Sequence, residues 1–333
     1  MNDDQSSSLK SRVGIVAIGR NEGDRLVRCL KSLQPLELNM IYVDSASTDG
    51  SPQAATEHGA KVLDLDLTKP FTAARARNEG FAALIAMVPN IDYVQFVDGD
   101  CEVEQGWITK AAAYLDENPD ISIICGRRRE RFPDKSFYND LCDREWNTPI
   151  GQSAACGGDA LMRVTTFQSN GGYNGALIAG EEPELCHRIR AAGGKIWRAD
   201  EPMTIHDAAM HSFRPWWLRA VRSGFGYAQV FWTTRGSDNP LYRREVARSL
   251  FWGLILPTIF VIGAFLHPIL GIFFLSIFPL QIVRMAAREG LNHSRSWKSA
   301  ALHIVGKFGE LLGIARFIKR LIKGEIGGAI FYK

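Results

Sequence analysis

The 333-residue sequence has six cysteines, at positions 29, 101, 125, 142, 156 and 186, and no CxxC pair among them. No zinc-type spacing appears, and a chain this long has no need of a disulfide framework, so reduced thiols in a cytosolic compartment are expected. A secretory signal is missing too: the opening MNDDQSSSLKSR is polar and has no apolar core. Strong charge of either sign is absent. A net charge of +3 does not argue for nucleic acid, and no nucleic-acid partner is expected. The average hides an asymmetry, since acidic residues concentrate in the first two hundred positions while the tail from Arg214 onward is mainly basic. The most telling absence lies in residues 249–283, which contain no Asp, Glu, Lys or Arg.

Past a polar lead over residues 1–11, which is expected to be disordered, the first part of the chain alternates short apolar runs with amphipathic ones. VGIVAIG (13–19), MIYV (40–43), KVLDLDL (61–67), DYVQFV (92–97) and ISIIC (121–125) read as strands. Between them, residues 24–33, 51–58, 72–87 and 106–115 read as helices, the first with Leu26, Leu30 and Leu33 on one face. This order predicts an α/β fold: a mostly parallel sheet with helices on both faces. Three polar loops, Arg20-Asn21-Glu22, Asp44 to Gly50 and Asp98-Gly99-Asp100, each follow a strand. All three therefore fall at the carboxyl edge, where open α/β sheets bind ligands. Glu102 and Glu104 are expected to begin the next helix.

From residue 126 the pattern loosens. Arg127, Arg128, Arg129 and Arg131 form a charge run, read by default as a solvated face, with a phosphate-bearing lipid acceptor as the alternative. Further on, GEEPELCHRIRAAGG (180–194) reads as a helix stopped by Gly193-Gly194, with Glu181, Glu182 and Glu184 near its start. Those acids could simply complement the positive end of the helix.

The uncharged stretch is split by His267-Pro268 into segments of about 18 and about 15 residues, against the roughly 20 that a membrane-spanning helix needs. Basic residues flank both ends: Arg243, Arg244 and Arg248 before, Arg284 and Arg288 after. A hairpin with both ends on the cytoplasmic side satisfies the positive-inside rule. A re-entrant pair or a buried hairpin of a soluble protein are the alternatives. Residues 284–333 suit a basic amphipathic helix on anionic membrane lipid. Trp216-Trp217 suits an interfacial anchor or packing on the first domain. The expected organisation is a lead (1–11), an α/β domain (12–212), interfacial linker helices (213–248), a membrane hairpin (249–283) and a basic tail (284–333).

Taken in order, GRNEGDRLVRCLKSL, YVDSASTDGS, ARARNEGF, FVDGD and GEEPELCHRIRAAG resemble the family 2 glycosyltransferases with the GT-A fold, of the membrane-associated bacterial type. The resemblance covers about residues 12–212. It implies a nucleotide-sugar donor, with UDP favoured, a Mg2+ or Mn2+ cofactor, and inverting transfer of a sugar. The acceptor would be lipid-linked or a saccharide, and the site would lie on the cytoplasmic face of the cell inner membrane. It also implies roles. Arg20, Glu22, Asp44, Arg77 and Asn78 would hold the donor. Asp98 and Asp100 match the DXD motif, with Asp98 toward the nucleotide and Asp100 on the metal, and His206 is a further candidate metal or diphosphate ligand. Asp159 would meet the donor sugar or the acceptor. Glu182 inherits the base role and Glu181 is its competitor, because the family's usual Glu-Asp pair is Glu-Glu here. The Gln-x-x-Arg-Trp motif of processive members is missing, which favours transfer of a single sugar. A non-catalytic GT-A-like scaffold and a nucleotidyltransferase are the competing readings, and the latter's Gly-rich, Arg/Lys-bearing signature is not seen.

The chemistry explains the residue types. A leaving diphosphate gains charge, and a hard divalent cation held by carboxylate oxygens neutralises it. The acceptor hydroxyl must lose a proton to a carboxylate within hydrogen-bond reach.

Overall fold

The computed structural model describes residues 9–325, which divide into two compact units at His211/Ser212. In the first unit the chain is already ordered at residue 9. Leu9 is buried in the core and residues 9–12 form a helical turn, so the last part of the expected lead is structured. Its first eight residues lie outside the described residues.

The alternating half of the sequence folds as its pattern dictates. Strand β1 (Val13–Gly19) pairs in parallel with β2 (Asn39–Asp44) and with β4 (Tyr93–Asp98), and β2 pairs in parallel with β3 (Lys61–Asp64). Six of the seven β1 residues are buried, as a strand covered on both faces requires. Helix α1 (Asp24–Leu33) buries Leu26, Cys29, Leu30 and Leu33, the stripe expected from its spacing. Helix α2 (Ser51–Glu57) follows β2. Helix α3 (Ala73–Met87) starts at Thr72, whose hydroxyl accepts a hydrogen bond from the Arg75 amide at 3.0 Å.

Beyond β4 the sheet departs from the parallel rule. Its order is β3-β2-β1-β4-β8-β6-β9-β5, with β7 on β9. Strand β8 (Ala160–Arg163) lies antiparallel between β4 and β6 (Ile121–Glu130), while β9 (Lys195–His206) runs parallel to β6. Strand β5 (Cys101–Val103) and the short β7 (Gly151–Gln152) pair antiparallel with β9. The two reversals on either side of β8 cancel, so β6 and β9 point the same way as β4. Their carboxyl ends reach the same edge.

Helices α4 (Trp107–Glu117), α5 (Phe137–Glu145), α6 (Val164–Ser169) and α7 (Glu181–Ala191) complete this unit. Glu102 does not begin a helix. It sits in β5 and pairs with Arg131, and Glu104 lies in the turn before α4.

The second unit is entirely helical among the described residues. Helix α8 (Phe213–Thr234) packs on the long α11 (Ser294–Ile322). The two backbones nearly touch: a Cβ on Gly224 would stand 2.0 Å from the Glu310 carbonyl oxygen, and one on Gly313 would stand 2.0 Å from that of Val221. Trp216 and Trp217 lie over Gly306 and Gly309 of α11, so these rings pack inside the unit. One face of the basic tail is thus spent on α8. Between these helices stand α9 (Arg243–Leu266), which contains a π-helical turn over Phe251–Ile255, and α10 (Pro268–Glu289). Both are long and apolar enough to cross a membrane. They form a hairpin at His267, with Gly271 against Ala264 and Gly263 against Phe274. Most of its apolar side chains face outward, among them Phe265, Leu266, Ile269, Ile272 and Phe273. A hairpin buried in the core of this unit is therefore ruled out.

Candidate active site

The loops after β1 and β2 are stitched to each other. The Asn21 amide donates to the Ser47 hydroxyl at 2.9 Å, and the Thr48 amide donates to the Asn21 side chain at 2.7 Å. Asp44 anchors the second loop, accepting from the Ser47 amide at 2.7 Å, the Ser47 hydroxyl at 2.6 Å and the Tyr42 hydroxyl at 3.2 Å. Arg20 lies over the Phe71 ring, and Glu22, largely buried, pairs with Arg25.

At the end of β4 the two aspartates of the DGD turn part company. The Asp98 carboxylate meets the buried Arg77 guanidinium at 2.6 Å, and that same guanidinium binds Glu181 at 2.8 Å. Burial works against the Arg77 cation. Asp98, Tyr173 and Glu181 more than offset it, so its pKa lies above the ordinary arginine value. Burial pushes the Asp98 carboxyl up from its usual range, opposed by Arg77 and reinforced by neighbouring Asp159. The backbone behind Asp98 is crowded as well: a Cβ on Gly158 would stand 2.6 Å from an Asp98 carboxylate oxygen, so the loop before β8 can come this close only through a glycine.

Asp100 turns the other way. Its carboxylate lies 3.2 Å from Nε2 of His206. The juxtaposition follows from register, because Cys101 of β5 is paired with His206 at the end of β9. Two ligands at about 2.1 Å on an octahedral hard cation stand about 3 Å apart, so this pair fits Mg2+ or Mn2+. A carboxylate oxygen and an imidazole nitrogen are suitable donors. Nδ1 of His206 is buried and has no hydrogen-bond partner among the described residues, and the Trp146 ring lies 4.8 Å from the imidazole.

Two expected donor contacts receive other tasks. Asn78 uses both ends of its amide on the backbone of Tyr173, at 2.7 and 2.9 Å, and so secures the 170s loop. Asp159 is fully buried, accepting from the Asp98 amide at 2.9 Å, Arg128 at 2.8 Å and the Thr204 hydroxyl at 3.0 Å. With its oxygens engaged inside the protein, it braces the rim from behind. The arginine run is not a single solvated face: three of its four members are paired within the protein, and Arg129 is exposed. Arg127 pairs with Asp143, Arg128 with Asp159 and Arg131 with Glu102.

The two glutamates that open α7 also separate. Glu181 is bound to Arg77. Glu182 accepts from the Cys156 amide at 2.6 Å and from the Cys186 thiol at 3.1 Å through the same oxygen, Oε1. The sequence reading gave these cysteines and Trp146 no role. The one available signal was that Glu182 and Cys186 stand four apart on a helix, hence on one face.

Comparison with known proteins agrees with this geometry. The family model described as glycosyl transferase family 2 matches residues 15–177. The succinoglycan biosynthesis protein ExoA of Rhizobium meliloti is 27% identical over 220 residues, covering 62% of this chain and 66% of that protein. The pre-mycofactocin glycosyltransferase of Mycobacterium tuberculosis is 25% identical over 211 residues, 59% of this chain and 42% of its own. The matched segment thus spans less than two thirds of each of these relatives. Among solved structures, a mannosyltransferase from Pyrobaculum calidifontis in complex with GDP-Man and Mn2+ superposes with a TM-score of 0.61 at 15% identity, covering 91% of this chain and 87% of that one. At that identity the likeness speaks for the fold. Five sequence motifs in order, the family model over residues 15–177 and a GT-A architecture together identify a family 2 glycosyltransferase domain in this part of the chain.

Proposed function

We propose that this protein moves one sugar from a nucleotide-sugar donor to a lipid-linked or saccharide acceptor, with inversion, at a cytoplasmic membrane face. The observation that carries this reading is the convergence of Asp100, His206 and the Arg77-locked acids on one sheet edge. Asp100 and His206 would hold Mg2+ or Mn2+, which when bound supplies the positive charge that the leaving diphosphate needs. Asp98, fixed by Arg77, borders the nucleotide side, with Asp44, Arg20 and Glu22 in the loops beside it. The GDP-Man and Mn2+ bound in the Pyrobaculum calidifontis mannosyltransferase support this reading. A uridine donor is retained as the first to try.

Glu182 is the proposed base. Arg77 holds Glu181 as a counter-ion, whereas Glu182 has only Oε1 engaged in the protein and keeps Oε2 to accept the proton of an acceptor hydroxyl. Two neutral donors on Oε1 steady the carboxylate. A hydroxyl deprotonated there would attack the anomeric carbon opposite the departing diphosphate, which is the geometry of inversion. The outward-facing apolar hairpin α9–α10 supports membrane attachment.

The test is release of nucleoside diphosphate from a panel of UDP- and GDP-sugars with Mn2+, for wild type, Asp100→Ala and His206→Ala. Loss of Mn2+-dependent turnover in both variants is expected. Full activity in both would remove the proposed metal site.

A further inference from the structure

Behind the proposed base lies a group of side chains whose chemistry differs from that of the rim. The Sγ atoms of Cys156 and Cys186 are 3.6 Å apart, and Oε1 of Glu182 is 3.1 Å from Cys186 Sγ. All three ligand atoms lie within 4.8 Å of one another. Two come from one face of α7, four residues apart, and the third from the loop before β8. Tetrahedral zinc with Zn–S bonds of about 2.3 Å places two thiolates about 3.7 Å apart, close to the spacing already present. Two thiols and a carboxylate favour a thiophilic cation, whereas an oxygen and an imidazole suit the hard cation proposed at Asp100 and His206. The cluster is deeply buried, but Cys156 and Glu182 keep 7% and 8% exposure, which leaves a way in.

We propose that Cys156, Glu182 and Cys186 form a zinc site that takes the catalytic carboxylate out of service. Binding releases the two thiol protons to solvent and forms two Zn–S bonds and one Zn–O bond, with the fourth position left to water. No oxidant or reductant is needed. The carboxylate oxygen now given to zinc belongs to the group that must accept the acceptor's proton, so zinc competes with transfer. Mn2+ at the rim and Zn2+ behind it would then act in opposite senses on one reaction. The inhibitory half of the proposal rests on Glu182 being the base. The site itself does not.

The experiment uses the full chain stripped of metal. Zn2+ is titrated against a chromophoric chelator, and Co2+ is added separately to look for thiolate-to-cobalt charge-transfer absorption. One equivalent of Zn2+ and a charge-transfer band are expected in wild type and in Cys142→Ala, a buried cysteine away from the cluster. Cys156→Ser and Cys186→Ser should each weaken Zn2+ at least tenfold and remove the band, while Asp100→Asn leaves both in place. No charge-transfer band in folded wild type, or zinc affinity lost in Asp100→Asn alone, would overturn the site. Transfer should fall as the zinc equivalent binds and return with chelator, and excess Mn2+ should not restore it. Zinc bound at the thiols with transfer at full rate would overturn the inhibitory half and count against Glu182 as the base, with the site standing.

Discussion

Replacing Arg77 with methionine removes one cation and keeps most of the side-chain volume. Arg77 is buried and is the shared partner of Asp98 and Glu181, at 2.6 and 2.8 Å. Breaking a buried pair by deleting one partner costs about 3–5 kcal/mol, because the remaining charge is left without compensation. The Asp98 side chain keeps 28% exposure and Glu181 12%, so water recovers part of the loss and the low end, about 3 kcal/mol, is expected. For a unit of this size that corresponds to roughly 6–12 °C in Tm. The assay is thermal unfolding of the full chain, followed through the first unit's tryptophans. Its control is Arg77→Met combined with Asp98→Asn and Glu181→Gln. If the cost is stranded charge, the triple variant should recover more than half of the lost stability. The pH dependence follows the same logic. Burial raises the Asp98 carboxyl and Arg77 opposes that rise, so without Arg77 its ionised form is penalised further in the fold. The Arg77→Met deficit should therefore grow as pH rises above about 4 and shrink below it. A loss below 1 kcal/mol, or no recovery in the triple variant, would refute the reasoning.

Three further outcomes follow from the same geometry. Glu182→Gln should lower transfer by about 10²–10⁴-fold while keeping donor affinity, measured by turnover and calorimetry; the larger loss in Glu181→Gln would reverse the assignment. Arg12 binds Asp92 and Asp116 at 2.6 Å each, and its hydrogen bond holds the Asp116 carboxyl below the usual range. Asp116 therefore adds stability above its unfolded pKa that is lost as pH falls through the lower folded value. Arg12→Ala should flatten the acid limb of a stability–pH curve below about pH 4, by less than about 1 kcal/mol because the partners are partly exposed. Gly224→Ala should destabilise the α8–α11 pair by about 1–3 kcal/mol, since its Cβ would meet backbone that has to move, and a chain with unchanged Tm would show that the helices do not approach so closely.

What was legible in the sequence was local or periodic. The 3.6-residue stripe of Leu26, Leu30 and Leu33 and the short apolar runs up to residue 98 gave the parallel half of the sheet and its polar edge. The uncharged stretch gave the hairpin, with its break at His267. Beyond β4 the apolar run at 121–125 was legible as the start of β6, but β9 was opaque, because it carries Lys195, Arg198, Asp200, Glu201 and Pro202 along its length and shows no clean alternation. Its partners lie far away in sequence, and only their pairing makes it a strand.

The sequence by itself therefore determined the family, the α/β alternation and which acids stand on the rim, since these depend on residue type and short spacing. The tertiary structure decided how those acids divide their work. Arg77 reaches Glu181 across 104 positions and leaves Glu182 to the Cys156 amide and the Cys186 thiol. His206 meets Asp100 only because β9 runs beside β5 in one particular register. Which carboxylate is held by a cation and which by neutral donors depends on contacts a few ångströms long between residues that are distant in the chain, and folding alone creates those.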